Sequence, residues 1–124
     1  MKYSESLKKN RDFQIAYREG ISYANKYLVM YIKENHLGYN RLGISVSKKV
    51  GNSIVRHRLT RLIRESYRLQ EDYFKCGFDI VVIARAGAKG KNYHKIESAL
   101  LHLGNLHKIR AVSETQCITN EILA

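Results

Sequence analysis

The sequence is short of acidic residues, of cysteine and of long apolar runs. Its 124 residues include 22 lysine and arginine residues but only 11 aspartate and glutamate residues, a formal net charge of +11. The excess lies in residues 1–110, which carry nine of the acids and a formal charge of +13. Residues 111–124 contain two acids and no lysine or arginine. A folded part this basic favours a polyanionic partner, and its binding should weaken steeply as salt rises.

The lack of long apolar runs argues against a membrane or secreted protein. No stretch approaches the roughly 20 apolar residues that a membrane-spanning helix needs, and residues 1–10 do not lead into the apolar run of a signal peptide. We therefore expect a cytoplasmic protein that does not enter a membrane. Cys76 and Cys117 lie far apart without the spacing of metal ligands. Two reduced thiols are the interpretation that fits a cytoplasmic protein.

Recognisable catalytic motifs are missing as well. The five histidines do not fall into a metal-ligand spacing, and the acids are scattered along the chain. There is no nucleophile elbow, no phosphate-binding nucleotide loop and no cysteine with an evident base partner. The sequence therefore predicts a binding protein without catalytic residues or a metal site of its own.

The sequence does contain a strongly cationic stretch over residues 48–68, K-K-V-G-N-S-I-V-R-H-R-L-T-R-L-I-R-E-S-Y-R. We expect a helix to begin within this stretch, after its glycine. Asn52 or Ser53 can supply the oxygen that caps the first free N–H groups. On a helical wheel the apolar residues share one arc, and the opposite arc carries arginines with only Glu65 to offset them. Like charges at this spacing repel, so an outside polyanion is favoured, and guanidinium groups suit phosphate. A solvated basic helix is the plainer alternative.

The other segments predict an α+β fold with the element order α-β-β-β-α-β-α. We expect helices over 6–19 and from Asn92 to about Ile109 around the cationic helix, and strands over 21–24, 27–33, 41–47 and 78–85. The second and third strands are predicted to form an antiparallel hairpin, and the cationic helix to join a parallel pair as a βαβ crossover. The expected architecture is a four-stranded, mostly antiparallel sheet packed against helices. We expect a single nucleic-acid-binding domain over 1–110, which the resemblance described below makes RNA-binding, followed by a poorly ordered tail over 111–124.

Aromatic residues on two elements are candidates for base stacking. Phe13 and Tyr17 share a face of the first helix, and Tyr31 and Lys33 share a face of the second strand. Core packing is the simpler interpretation of the aromatic side chains. The functional interpretation is a platform for unpaired bases, flanked by lysine and arginine for the backbone.

The cationic helix resembles the arginine-rich signature of the protein subunit of bacterial ribonuclease P. That family carries R-N-R-x-K-R-x-x-R after a lysine-lysine-hydrophobic-glycine-asparagine lead. The residues that match it are Lys48, Lys49, Gly51, Asn52, Arg56, Arg58, Arg61 and Arg64. His57 stands where the family usually has Asn, and Thr60 where it usually has Lys or Arg. L-K-K-N-R-D-F near the start and S-V-S-K-K in the third strand match too, so the resemblance covers roughly residues 6–109.

The resemblance implies a monomer that binds a catalytic RNA in a 1:1 complex and helps it to remove the 5′ leader from precursor tRNA. The RNA would hold the catalytic Mg²⁺ ions, and the crossover around the long helix would be left-handed, against the usual rule. The residues expected to contact the catalytic RNA are Lys48, Lys49, Asn52, Arg56, Arg58, Arg61, Arg64 and Arg68. The cleft expected to bind the leader contains Phe13, Tyr17, Tyr31 and Lys33. The alternative is a general structural RNA-binding protein or RNA chaperone, which would not prefer precursor tRNA.

Overall fold

The computed structural model describes residues 1–109, which form one five-stranded sheet in the order β1-β4-β5-β3-β2. The elements along the chain are β1 (Ser4–Ser6), α1 (Asn10–Glu19), β2 (Ile21–Ala24), β3 (Leu28–Glu34), β4 (Asn40–Ser45), α2 (Ser53–Leu69), β5 (Phe78–Ala84) and α3 (Tyr93–Leu106). Short 3-10 turns follow α2 and β5, at Glu71–Tyr73 and Ala86–Ala88. The α+β class is confirmed. Within residues 1–109, no helix has both the length and the apolar character needed to cross a membrane.

The main core lies between one face of the sheet and helices α2 and α3. Alternate residues of the strands point into it, as a half-buried strand requires, and Leu28, Met30 and Ile80 are almost completely buried. Tyr67 of α2 and Phe74 stack with their ring centroids 5.2 Å apart. Each buried aliphatic side chain here contributes about 1.5–3 kcal/mol relative to an exposed one. This core fixes the orientation of α2 and therefore the direction in which its polar face points.

Helix α1 packs on the opposite face of the sheet through a second, smaller cluster. Leu7, Ala16 and Val81 are buried there, and several aromatic side chains around them are only partly buried. At Gly43 a Cβ atom would lie 2.7 Å from Cζ of Phe13. A glycine at this position therefore lets the ring lie directly against the strand.

The sheet has five strands rather than the predicted four, because residues 4–6 form β1 and not the start of a helix. Strand β1 pairs in parallel with β4, and α1 begins only at Asn10. The carboxylate of Glu71 accepts hydrogen bonds from the backbone N–H groups of Lys2, at 2.7 Å, and Tyr3, at 3.0 Å. The hydroxyl groups of Ser4 and Tyr67 lie 2.7 Å apart. These partners are distant in sequence, so no local pattern could reveal the strand.

The predicted hairpin between the second and third strands is wrong, because β5 lies between β3 and β4. It runs antiparallel to β3 and parallel to β4, so the βαβ crossover through α2 is confirmed. The sheet is mixed, with two antiparallel and two parallel pairs, where a mostly antiparallel sheet was predicted. Strand β5 is buried on both faces over most of its length, and such a strand belongs at the centre of a sheet. The handedness of the crossover stays a prediction.

Other predictions concern the ends of the helices, the cysteines and the tail. Asn52 caps α2 by accepting a hydrogen bond from the N–H of Val55, and Asn92 caps α3, as predicted. Helix α3 ends at Leu106, slightly earlier than expected. The prediction of two reduced thiols involves Cys117, which lies outside the described residues. The predicted tail over 111–124 lies outside the described residues.

Candidate nucleic-acid interface

The two faces of α2 differ as the helical wheel predicted. Leu59, Ile63 and Tyr67 are fully buried against the sheet and α3. The side of the helix away from the core exposes a row of arginine residues, Arg58, Arg61, Arg64 and Arg68. Because the buried residues hold the helix firmly, the guanidinium groups project from a rigid support. Such a surface can face a polyanion without reorganisation of the backbone.

Most of this positive charge is not neutralised within the described part of the chain. There, Arg68 is the one arginine of α2 with a carboxylate within 4.0 Å, and its partner is Glu65. The hydrogen bond from Arg68 holds the pKa of Glu65 below its ordinary value. Both side chains therefore stay ionised, and their opposite charges neutralise each other. Among residues 1–109, no carboxylate lies within 4.0 Å of Arg61 or Arg64. The surplus charge predicted from the sequence is therefore present in the fold.

Arg56 and Arg58 lie at the edges of this face and are more constrained. Arg56 is partly buried, and its Nε atom is buried without a hydrogen-bond partner among the described residues. The hydroxyl of Thr60 donates to the carbonyl oxygen of Arg56 at 2.9 Å. The Nη2 atom of Arg58 donates to the carbonyl oxygen of Lys91 at 2.9 Å, which ties α2 to the loop before α3. This hydrogen bond fixes the guanidinium group of Arg58 and holds Lys91 of the loop next to α2.

The turn before α2 presents Lys48 and Lys49 at the start of the helix. Both side chains are exposed, and the buried side chain of Val50 anchors the turn between them and α2. The Oδ1 atom of Asn52 is occupied by the cap at 3.0 Å, which leaves its amide N–H groups as the donors for a ligand. The structure therefore places the two lysines and Asn52 beside the arginine residues of α2.

One exposed apolar side chain on this surface was not predicted from the sequence. Ile54 is 78% exposed at the first turn of α2. It lines a shallow groove of about 530 Å³ together with His57, Arg58 and Arg61. A large aliphatic side chain among cationic ones offers an apolar contact to a base or ribose. The signal in the sequence was an isoleucine that belongs neither to the apolar arc nor to the charged one.

The aromatic residues predicted for the leader cleft lie together between α1 and the sheet. The ring centroids of Phe13 and Tyr17 are 6.4 Å apart, and those of Tyr17 and Tyr31 are 5.1 Å apart at an edge-to-face angle of 69°. All three side chains are partly exposed. Burial raises the pKa of Tyr17, whose hydroxyl is within hydrogen-bonding reach of Ser45. The rings pack against the small cluster and still present an aromatic surface.

Lys33 lies on the same face of β3 as Tyr31, two residues further along the strand. Its neighbour across the sheet is Asp79 of β5, and its Nζ atom lies 3.4 Å from the carbonyl oxygen of Glu34. Lys33 also lines a groove at the end of the strand together with Glu19 and Glu34. The structure thus brings three of the four predicted cleft residues together and places the fourth near acidic groups.

An ion-pair network beneath α1 was not predicted from the sequence. The guanidinium of Arg41 donates to both carboxylate oxygens of Asp79, at 2.7 and 2.6 Å, and to Asp12 of α1 at 3.4 Å. The hydrogen bond to Asp79 raises the pKa of Arg41. Bidentate pairs of this kind fix geometry as well as adding energy. The network ties α1 to β4 and β5 and so sets the width of the aromatic cleft.

Comparison with known proteins identifies the family of the chain. The family model described as Ribonuclease P matches residues 1–108. The chain belongs to the ribonuclease P protein family. The ribonuclease P protein component of Lachnoclostridium phytofermentans is 64% identical over 111 residues, which cover 90% of this chain and 96% of that protein. The protein of the same name from Alkaliphilus metalliredigens is 53% identical and covers 91% of this chain, over its own full length.

Solved structures of ribonuclease P proteins have the same fold. The Staphylococcus aureus protein superposes with a TM-score of 0.79 at 39% sequence identity, covering 86% of this chain and 97% of its own. The Thermotoga maritima protein gives a TM-score of 0.77 at 35% identity, covering 82% of this chain and 96% of its own. This chain and these ribonuclease P proteins therefore share one fold.

Proposed function

We propose that this chain is the protein subunit of the ribonuclease P ribonucleoprotein and assists its catalytic RNA in removing the 5′ leader from precursor tRNA. The observation that carries the proposal is the exposed face of α2. Its Arg61 and Arg64 have no carboxylate within 4.0 Å among residues 1–109, in a chain 64% identical to a ribonuclease P protein component. The protein then serves as one subunit of an endoribonuclease whose chemistry belongs to the RNA.

The proposed role of α2 is to neutralise phosphates near the RNA core. Guanidinium groups bind phosphate in a bidentate way, and each contact releases counterions from the RNA. Reduced phosphate repulsion near the core would strengthen the binding of Mg²⁺ ions, which the RNA would hold. The two lysines before α2, together with Asn52, Arg56, Arg58, Arg61, Arg64 and Arg68, form the proposed RNA-binding surface. The benefit of the protein should therefore be greatest at low magnesium.

The proposed role of the aromatic cleft is to bind the single-stranded leader. Leader sequences vary, so recognition should depend on base stacking, which every base offers, at about 1–3 kcal/mol per base. Phe13, Tyr17 and Tyr31 provide the rings, and Lys33 is the proposed contact for the backbone at the end of β3. Together these contacts would give precursor tRNA an advantage over mature tRNA.

The proposed assembly is one protein monomer with one catalytic RNA, acting in the cytoplasm on precursor tRNA. The two proposed surfaces lie on opposite faces of one sheet. One protein molecule therefore presents both of them, as a 1:1 complex requires. The competing class, a general structural RNA-binding protein or RNA chaperone, would share the cationic helix. It would have no reason to distinguish precursor from mature tRNA.

The test is multiple-turnover cleavage of a precursor tRNA at low magnesium by a bacterial ribonuclease P RNA, with and without the protein. A matched precursor with its leader shortened to one nucleotide serves as the control substrate. We expect a large rate gain with the long leader and a smaller gain with the short one. Salt-sensitive RNA binding without any rate gain would overturn the proposal and leave a general RNA-binding protein. An equal gain for both substrates would refute the role of the cleft.

A further inference from the structure

A separate groove lies where the turn between β2 and β3 meets α3. Its volume is about 470 Å³, within the range of about 300–1,000 Å³ that is usual for small-molecule sites. It is lined by Lys26, Tyr27, His94, Lys95, Ala99 and His102, among others. Helix α3 packs on the face of the sheet opposite to α1, so the groove is distinct from the aromatic cleft. No role described above uses it.

The groove is rigidly built around the side chain of Asn25. Its Oδ1 atom accepts hydrogen bonds from the N–H groups of Tyr27, at 3.1 Å, and Leu28, at 3.0 Å. Its amide nitrogen donates to the carbonyl oxygen of Ala99 at 3.0 Å and lies 3.2 Å from Nδ1 of His102. One side chain thus fastens the turn to α3. A ligand would meet walls that are already in place.

The loop after β5 packs against Lys26 and Tyr27 of the groove. The N–H of Arg85 donates to the carbonyl oxygen of Tyr27 at 2.8 Å. A Cβ atom at Gly87 would lie 2.8 Å from the carbonyl oxygen of Lys26, so the loop can approach this closely because that residue is glycine. The Nζ atom of Lys91 lies 5.7 Å from the centre of the Tyr27 ring. A lysine is therefore held beside the aromatic wall.

The charge of the groove is positive without local compensation. Lys26 and Lys95 are exposed, and neither has a carboxylate within 4.0 Å among residues 1–109. The nearest acid of α3, Glu97, is engaged by the hydroxyl of Tyr93 and the amide of Gln70. The hydrogen bond from Arg58 to Lys91 joins the groove to the cationic face of α2. The positive surface is therefore continuous from α2 to α3.

We propose that this groove binds one unpaired nucleotide of RNA. Its base lies against Tyr27 and Ala99, and the adjoining phosphates contact Lys26 and Lys95. A base needs an aromatic or apolar wall, its phosphates need cations, and the groove offers both on a rigid frame. The inference rests on the proposed function, because it takes RNA as the partner. It adds a third contact to those of α2 and the aromatic cleft.

The test removes the two lysine charges and measures how RNA affinity depends on salt. The variant is Lys26→Gln with Lys95→Gln, and the matched control is Lys2→Gln with Lys108→Asn, exposed lysines outside the groove. Asparagine tolerates the left-handed backbone of Lys108, at φ 58°. Two lost phosphate contacts should reduce the slope of log K against log[salt] by about 1.4, or about sevenfold over a fourfold rise in salt. The control should keep the wild-type slope.

The affinities are measured separately for the ribonuclease P RNA, precursor tRNA and mature tRNA. A reduced slope with the RNA subunit alone assigns the nucleotide to that RNA, and one seen only with precursor tRNA assigns it to the leader. A reduced slope for both tRNA forms assigns it to the tRNA body. Equal changes in groove variant and control, or no change in either, would overturn the proposal. Leader-dependent cleavage by the wild-type protein is measured in a separate assay. The groove proposal can therefore be refuted while the proposed function is retained, and the reverse.

Proton NMR distinguishes direct binding in the groove from an indirect effect of the substitutions. Pentauridylate added to the wild type should shift the ring proton signals of His94 and His102, which line the groove. In the Lys26→Gln, Lys95→Gln variant these shifts should be lost, while those of Phe13 and Tyr31 remain. Shifts confined to the aromatic cleft in the wild type would overturn the inference.

Discussion

Replacing Gly43 by alanine should move the ring of Phe13 and disable leader binding with little loss of stability. The new Cβ atom would lie 2.7 and 2.8 Å from Cζ and Cε1 of Phe13 and 3.2 Å from Cβ of Leu7, which is too close. The end of the ring is partly exposed, so it can swing outward, and the cost should be near the lower end of about 1–3 kcal/mol for overpacking. The lower entropy of the unfolded alanine chain offsets about 0.4–1 kcal/mol of this. The free energy of unfolding should therefore fall by about 1 kcal/mol or less.

The displaced ring should have a much larger effect on substrate preference. Loss of one stacked base costs about 1–3 kcal/mol, which corresponds to a reduction of roughly 5- to 150-fold in the preference for precursor over mature tRNA. Urea denaturation measures the stability, and binding of both tRNA forms to the reconstituted holoenzyme measures the preference. The double variant with Phe13→Leu removes the clash with the ring, so its free energy of unfolding should equal that of Phe13→Leu alone or exceed it by up to about 1 kcal/mol. Wild-type preference in Gly43→Ala, or no coupling between the two sites in stability, would refute the reasoning.

Three further predictions concern charge and stability. Arg58→Ala should weaken assembly with the catalytic RNA at low magnesium several-fold, with recovery at high magnesium. Arg68→Ala should weaken assembly less than Arg58→Ala does, because Glu65 already neutralises Arg68. Equal losses of affinity for the two variants in a filter-binding assay would contradict this. Glu71→Gln weakens the hydrogen bonds that hold β1 and should lower the free energy of unfolding by about 1–3 kcal/mol. Hydrogen exchange at residues 2–6 should become faster, and an unchanged exchange rate would contradict this cause. Burial lowers the pKa of His107, so the folded state resists protonation, and stability should fall as the pH drops below about 6.5. His107→Gln should flatten that part of the stability curve, and an unchanged curve would assign the pH dependence to other groups.

The sequence predicted those features that depend on local periodicity. The apolar and cationic arcs of α2 repeat every three to four residues, so Leu59 and Arg61 could be assigned to opposite faces without any knowledge of the fold. Asn52 was predicted as a cap because the cap involves only the next few residues. The same holds for the shared faces of Phe13 with Tyr17 and of Tyr31 with Lys33. Each of these inferences needs only contacts between near neighbours in sequence.

Features that depend on distant partners could not be predicted. Strand β1 has only three residues and is held by Glu71, so no periodicity marks it. The position of β5 between β3 and β4 is decided by its burial on both faces, whereas adjacency in sequence favoured a hairpin. Lys33 shares a face with Tyr31, but its surroundings are set by Asp79 across the sheet. Asn25 lies between two predicted strands, and only its contacts with α3 reveal the groove.

The short segment between β4 and α2 connects the two surfaces that we propose to bind RNA. Ser45 ends β4 beside the hydroxyl of Tyr17 in the aromatic cleft, and Asn52 caps α2 on the other side of the sheet. Between them, the buried side chain of Val50 and its N–H bond of 3.1 Å to the carbonyl oxygen of Ser47 fix the turn. Few backbone torsions are therefore free to vary between the cleft and the cationic helix. Under the proposed function, a leader bound to the rings and a phosphate backbone bound to α2 would keep a nearly constant separation, which would position the cleavage site.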